Sequence, residues 1–194
     1  MEGRRYAKDC ASVRTFLDLM RSETGRVNPD YILTEGNHEE RLWRYLERDP
    51  LFEDTADYRR DCGFEDMGFR IIPYKKFFKH KGIEFTHVPI SEAGKPLGGK
   101  YVCNRTLDVC TSTVVFGHTH KLGVAGLHRH GSAHLQQAIN VGCYFEHVDD
   151  YALGSVTSYW RGLVLIDHYK PRACNFYPIR MSTLRRKYEQ ETKS

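Results

Sequence analysis

Two short motifs hold the side chains best suited to chemistry, Gly36-Asn37-His38-Glu39 and Gly117-His118-Thr119-His120, and each directly follows an apolar run. A glycine that ends such a run and is followed by imidazole or amide groups sets those groups at the C-terminal edge of a strand, where open α/β sheets bind their substrates. The donors suit chelation of a divalent metal ion and transfer of a proton, so loops above a sheet are the expected place for the chemistry.

The elements that must position these groups follow from composition. Ser112 to Phe116 is a β-branched and aromatic run of the kind found in buried strands, and Gly117 allows a sharp turn at its end. His118 and His120 follow at a spacing of two, which on an extended segment puts both rings on one side. Asp30 to Thr34 reads as another strand, broken by Gly36. Asn37 then opens a helix with an apolar stripe of Leu42, Trp43 and Leu46. Asn37 reads both as an N-cap completed by Glu40 in a capping box and as a neutral oxygen ligand. His38, at the helix N-terminus, is placed to donate a proton to a leaving oxygen. Arg41, one turn later, either reaches a phosphate or pairs with a nearby Glu. A third strand end is expected at His87, because Lys81 to Thr86 reads as the second strand of a hairpin begun at Tyr74 to Lys79.

With these motifs in view, the chain resembles the calcineurin-like metallophosphoesterases, especially the phage and bacterial members in which the motif continues as Gly36-Asn37-His38-Glu39-Glu40-Arg41-Leu42. The resemblance runs from about Tyr6 to Tyr188 and includes Ile139-Asn140-Val141-Gly142-Cys143, similar to the family's strand and turn after the last motif. It implies an α/β sandwich of mixed sheets flanked by helices and a centre for two divalent ions, Mn, Fe or Zn. By position, Asn37, His87 and His118 match terminal ligands of one ion and His120 a ligand of the other. His38 matches the catalytic imidazole, and the implied reaction is hydrolysis of a phosphomonoester or phosphodiester, the substrate class extending to nucleotides or nucleic acid.

The family's D-x-H and G-D-x-x-D motifs do not occur before Tyr31. Two aspartates and a histidine of the implied centre are therefore missing, one of them the carboxylate that bridges the ions in that family. The fold is accordingly expected to be incomplete at its N-terminus. Three explanations stand: a fragment of a longer enzyme, one half of a two-chain enzyme whose partner polypeptide supplies the lost motifs, or a remnant that binds metal or phosphate without turnover. Exposed strand edges would favour self-association. Asp9, Asp18 and Asp30 read as solvated surface charges rather than substitute ligands.

The remaining features set bounds. The 194 residues are 40% hydrophobic with a net charge of +4, which suits one domain over residues 1–182 with a charged tail over 183–194 and implies no strong nucleic-acid field. No run is long enough to span a membrane and none resembles a signal peptide, so a cytoplasmic location is expected, in a host cell if the gene is phage-borne. The six scattered cysteines read as reduced thiols. A helix is expected over Ala7 to Arg21 with Val13, Phe16, Leu17 and Met20 facing a core. A loop with a short helix is expected over Pro50 to Met67, and a loop over Ser91 to Lys100 that could cover the site. Leu122 to His128 should pair with His134 to Val141, and Arg161 to Tyr169 with Ala173 to Met181 around Lys170-Pro171. His128, His130 and His134 read as surface histidines, and Asn104-Arg105-Thr106 fits a glycosylation acceptor by pattern only.

Overall fold

The computed structural model describes residues 6–25, 27–48, 51, 55–145, 159–170 and 173–191. The chain is mixed α/β and divides into two compact units, Met1–Tyr74 and Lys75–Ser194. No helix among the described residues is long and apolar enough to cross a membrane.

In the first unit, α1 (Tyr6–Thr24) precedes β1 (Ile32–Thr34), α2 (Asn37–Leu46), α3 (Tyr58–Asp61) and β2 (Arg70–Ile72). β1 and β2 pair in parallel, Ile32 opposite Arg70 and Thr34 opposite Ile72. The core of this unit gathers Cys10, Tyr58 and Cys62 with Tyr6, Val13, Leu33, Leu42, Trp43 and Phe64. α1 buries Cys10 and Leu17 and half-buries Val13 and Met20, a stripe at helical spacing. Phe16 lies off that stripe and is 48% exposed, so its expected place in the core is corrected. Cys10 and Cys62 are free thiols with their Sγ atoms 3.2 Å apart. Burial, and then the Cys10 neighbour, pushes the Cys62 thiol up to about 12.

The second unit is built on a five-stranded mixed sheet of β3 (Phe78–His80), β4 (Ile83–Thr86), β5 (Thr113–Phe116), β6 (Leu122–His128) and β7 (Leu135–Val141), in the order β3-β4-β5-β7-β6. β4, β5 and β7 run parallel, while β3 and β6 flank them antiparallel. The β3–β4 hairpin turns through Lys81 and Gly82, both left-handed at φ 47° and 79°, the backbone of a tight two-residue hairpin. All four residues of β5 are buried, as expected of a central parallel strand covered on both faces. On one face Val114, Phe116 and Ala138 pack with Val102, Cys103 and Leu107 of α4 (Val102–Val109). On the other, Ile83, Val115 and Ile139 pack with Cys174, Ile166 and Phe176 of the antiparallel hairpin β8 (Gly162–Lys170) and β9 (Ala173–Arg180). The alternation of neighbouring β5 side chains between these two clusters follows from the two-residue period of a strand. Of the residues between β8 and β9, Pro171 lies outside the described residues.

The expected pairings of β3 with β4, β6 with β7 and β8 with β9 are all present. α4 is not announced by any local sequence pattern. It takes up Asn104 to Thr106, with Thr106 fully buried and its hydroxyl bonded to the Val102 carbonyl, so the glycosylation pattern falls on a packed helix. The 91–100 loop folds back on itself, Leu97 N bonding the Pro89 carbonyl at 2.8 Å and Ser91 N the Lys95 carbonyl at 2.8 Å. α5 (Met181–Glu191) opens before the expected tail boundary at 183 and is exposed along most of its length.

Candidate metal centre

In the first unit, the Asn-His motif follows the end of β1. Glu35 N continues the β1–β2 ladder to the Ile72 carbonyl at 2.9 Å, and Gly36 is the N-cap of α2. The capping pair is Gly36 with Glu39, whose Oε2 accepts from Gly36 N at 2.8 Å. This moves the cap one residue ahead of the expected Asn37–Glu40 box, because glycine adopts the extended entry without needing a side-chain oxygen. Asn37 and His38 therefore stand in the first helical turn, Asn37 half-buried and His38 exposed. Arg41 is exposed one turn after His38, and the helix's own ion pair is Arg44 with Glu40 at 3.1 Å.

Next to this turn lies a buried glutamate that the motifs do not include. Glu35 is only 4% exposed. Its carboxylate accepts from the Tyr58 hydroxyl and from Arg59 Nε at 2.8 Å and Nη2 at 2.5 Å. Arg59 also lies over the Trp43 ring of α2, 5.3 Å from its centroid. A buried carboxylate is tolerable only when paired and hydrogen-bonded, and here the pairing fixes the start of α2 to α3. Burial and the Glu35 carboxylate raise the Tyr58 hydroxyl above its ordinary value. The available signal was a glutamate before Gly36 with an arginine following an aromatic residue downstream, too common a pattern to single out.

The second unit brings two of the expected ligands together. His87 follows β4 and His118 follows β5, at the same ends of neighbouring parallel strands. Gly117 N bonds the His87 carbonyl at 3.1 Å, carrying the ladder one step past the strands. His87 Nε2 and His118 Nδ1 are 3.2 Å apart, their rings edge to face. Two nitrogens sharing one ion at about 2.0–2.1 Å each stand roughly 3 Å apart, so this separation suits a common divalent cation. Without an ion it also suits a hydrogen bond between one protonated and one unprotonated ring nitrogen.

The segment from Gly117 to His120 is not the extended stretch expected. Thr119 N turns back onto the Gly117 carbonyl at 2.9 Å, and His118 and His120 are left-handed at φ 72° and 58°. The same-side argument for the two rings therefore fails, because it holds only for extended backbone. The His120 ring sits edge to face with Phe145 and Tyr159, at centroid distances of 5.2 and 4.7 Å, and its carbonyl accepts from Trp160 N at 2.9 Å. Left-handed backbone at residues other than glycine costs about 1–3 kcal/mol each and is concentrated at functional sites.

No family model, no curated protein and no solved structure matches the chain.

Among the described residues no group of three or more His, Cys, Asp and Glu side chains is arranged to hold a metal ion. The His87–His118 pair brings two imidazole donors together, and both are neutral when they bind a cation. A fully buried asparagine adjoins it. Asn140 on β7 is opposite Phe116 in register, and its Nδ2 donates to Thr119 Oγ1 between the two histidines.

Proposed function

We propose that this chain is a metal-dependent phosphoesterase domain, of the calcineurin-like kind that its motifs resemble, acting on a phosphomonoester or phosphodiester. The observation carrying the reading is the imidazole pair, His87 and His118, with ring nitrogens 3.2 Å apart at the ends of adjacent parallel strands. His118 Nδ1 and His87 Nε2 would each bind the cation through an unprotonated ring nitrogen. A divalent ion held there would supply a Lewis acid for a phosphoryl oxygen and favour ionisation of water near neutral pH. The other roles rest on motif alone: Asn37 as a neutral oxygen ligand, His120 as a ligand of a second ion, His38 as the acid that protonates the leaving oxygen, and Arg41 as a guanidinium for phosphate oxygens. The exposure of His38 suits a group that must regain its proton from solvent.

A second reading, binding of metal or phosphate without turnover, is favoured by one specific observation. Among the described residues no group of three or more His, Cys, Asp and Glu side chains is arranged to hold a metal ion. Neutral donors alone hold a divalent ion more weakly and acidify water less than a carboxylate-containing set.

The two readings separate when the purified chain is incubated with Mn(II) and an aryl phosphate beside His38→Ala and His118→Ala. Metal-dependent turnover lost in both variants supports the enzyme. Mn(II) binding lost only in His118→Ala, with no turnover anywhere, supports the binding reading. A wild-type chain that neither binds Mn(II) nor turns over overturns both.

A further inference from the structure

Asn140 is 1% exposed, on the β7 face that also carries Ala138 toward α4. Its Nδ2 donates to Thr119 Oγ1, while its Oδ1 is buried with no hydrogen-bond partner among the described residues. A purely packing role does not call for such a residue, because an apolar side chain of similar size would fill the space without burying an unpaired carbonyl oxygen. What the amide adds is a bond to the residue between two left-handed histidines, His118 at φ 72° and His120 at φ 58°. Backbone in that region persists only where neighbouring groups hold it. The described tethers of this turn include the Asn140–Thr119 bond, the Gly117 N bond to the His87 carbonyl and the Trp160 N bond to the His120 carbonyl. The two backbone tethers act at either end of the turn, and the Asn140 bond acts at Thr119, between the two histidines. Exchanging the amide's nitrogen and oxygen reverses this bond's direction and preserves it.

We propose that Asn140 is a positioning residue which, through the Thr119 hydroxyl, holds the 117–120 turn so that His118 Nδ1 meets His87 Nε2. The inference rests on reading that pair as metal ligands, and it deepens that reading by naming the support that sets their separation. Supports of this kind alter metal affinity by about 10–100-fold without touching the ion.

The test uses the full chain as wild type, Asn140→Ala, Thr119→Val, Thr119→Ser and the Asn140→Ala/Thr119→Val double variant. Two readouts are taken at one fixed pH: long-range proton–nitrogen spectra of the imidazoles without metal, and Zn(II) binding by calorimetry. Asn140→Ala and Thr119→Val are each expected to lose the exchange-protected ring N–H of the His87–His118 pair and to bind Zn(II) about tenfold more weakly. The double variant should lose no more than either single one, and Thr119→Ser should match wild type. Unchanged spectra and affinity in Thr119→Val overturn the proposal, and so do fully additive losses in the double variant. Should Asn140→Ala fail to fold, Thr119→Val against Thr119→Ser decides alone. A wild type that binds no Zn(II) while both variants lose the ring signal leaves the positioning role standing and removes the metal reading.

Discussion

Asp61 shows how a single side chain away from the motifs bears on the first unit. Its carboxylate accepts from Arg60 Nε at 2.9 Å, from Asp57 N at 2.9 Å and from the Tyr6 hydroxyl at 2.8 Å. Those bonds, with Arg60 foremost, hold its carboxyl down to about 2. A carboxyl whose folded value lies below its unfolded value of about 3.8 contributes stability that is complete above that value and is lost as pH falls toward the folded one. Because Asp61 ends α3, which carries Tyr58 and Arg59 to Glu35, acid should loosen the support beneath the Asn-His turn. The melting temperature of wild type is expected to fall between about pH 4 and pH 2 more steeply than that of Asp61→Asn, whose side chain cannot titrate. Parallel acid profiles for the two proteins would remove this role for Asp61.

Among the elements, the junction after β7 is tightly constrained by backbone. Gly142 has φ 76°, and a Cβ added there would meet Trp160 Cε3 and the Trp160 carbonyl oxygen, each at 2.5 Å. Trp160 in turn receives the Cys143 N–H at 3.0 Å and donates its own N–H to the His120 carbonyl. Gly142→Ala should therefore cost about 2–4 kcal/mol in urea unfolding, combining left-handed strain with a backbone clash. Gly123→Ala meets only the Cys103 Sγ at 3.2 Å and should cost about 1 kcal/mol or less, so equal midpoints for the two variants would contradict the argument. The strands were legible because their patterns are local: β5 reads as an unbroken β-branched run, and β6 with β7 as two runs about a turn at His130-Gly131. α4 was not, since its apolar positions Val102, Cys103 and Leu107 are few and Thr106 is buried by its bond to the Val102 carbonyl rather than by polarity. The site divided in the same way. The strand ends at His87 and His118 could be read from composition, whereas the left-handed turn between Gly117 and His120 depends on Asn140 and Trp160, far along the chain, and no local pattern announces it.

At the scale of the whole molecule, each unit leaves apolar surface and strand edge uncovered. In the first, the β1–β2 sheet has two strands among the described residues, and Ile32 to Thr34 are only half-buried where β5 of the other unit is buried throughout. Parallel pairs of that kind are ordinarily covered on both faces. α1 adds Phe16 at 48% exposure and Leu19 at 60%. In the second unit, β6 is a seven-residue edge strand carrying exposed Val124 and Leu127, without the lysines or proline that commonly blunt such edges. Surfaces of this sort attract copies of the same chain. Sedimentation velocity over a rising concentration series is expected to show mass-action self-association. Because the attraction is apolar, sodium sulfate should strengthen it, whereas an association held by pairing of opposite surface charges would be screened. Phe16→Ser with Leu19→Ser tests the α1 contribution, and Val124→Lys the β6 edge. If every protein, wild type included, sediments as one monomeric species across the series, the exposed strands and α1 face are compatible with an isolated chain and the expectation fails.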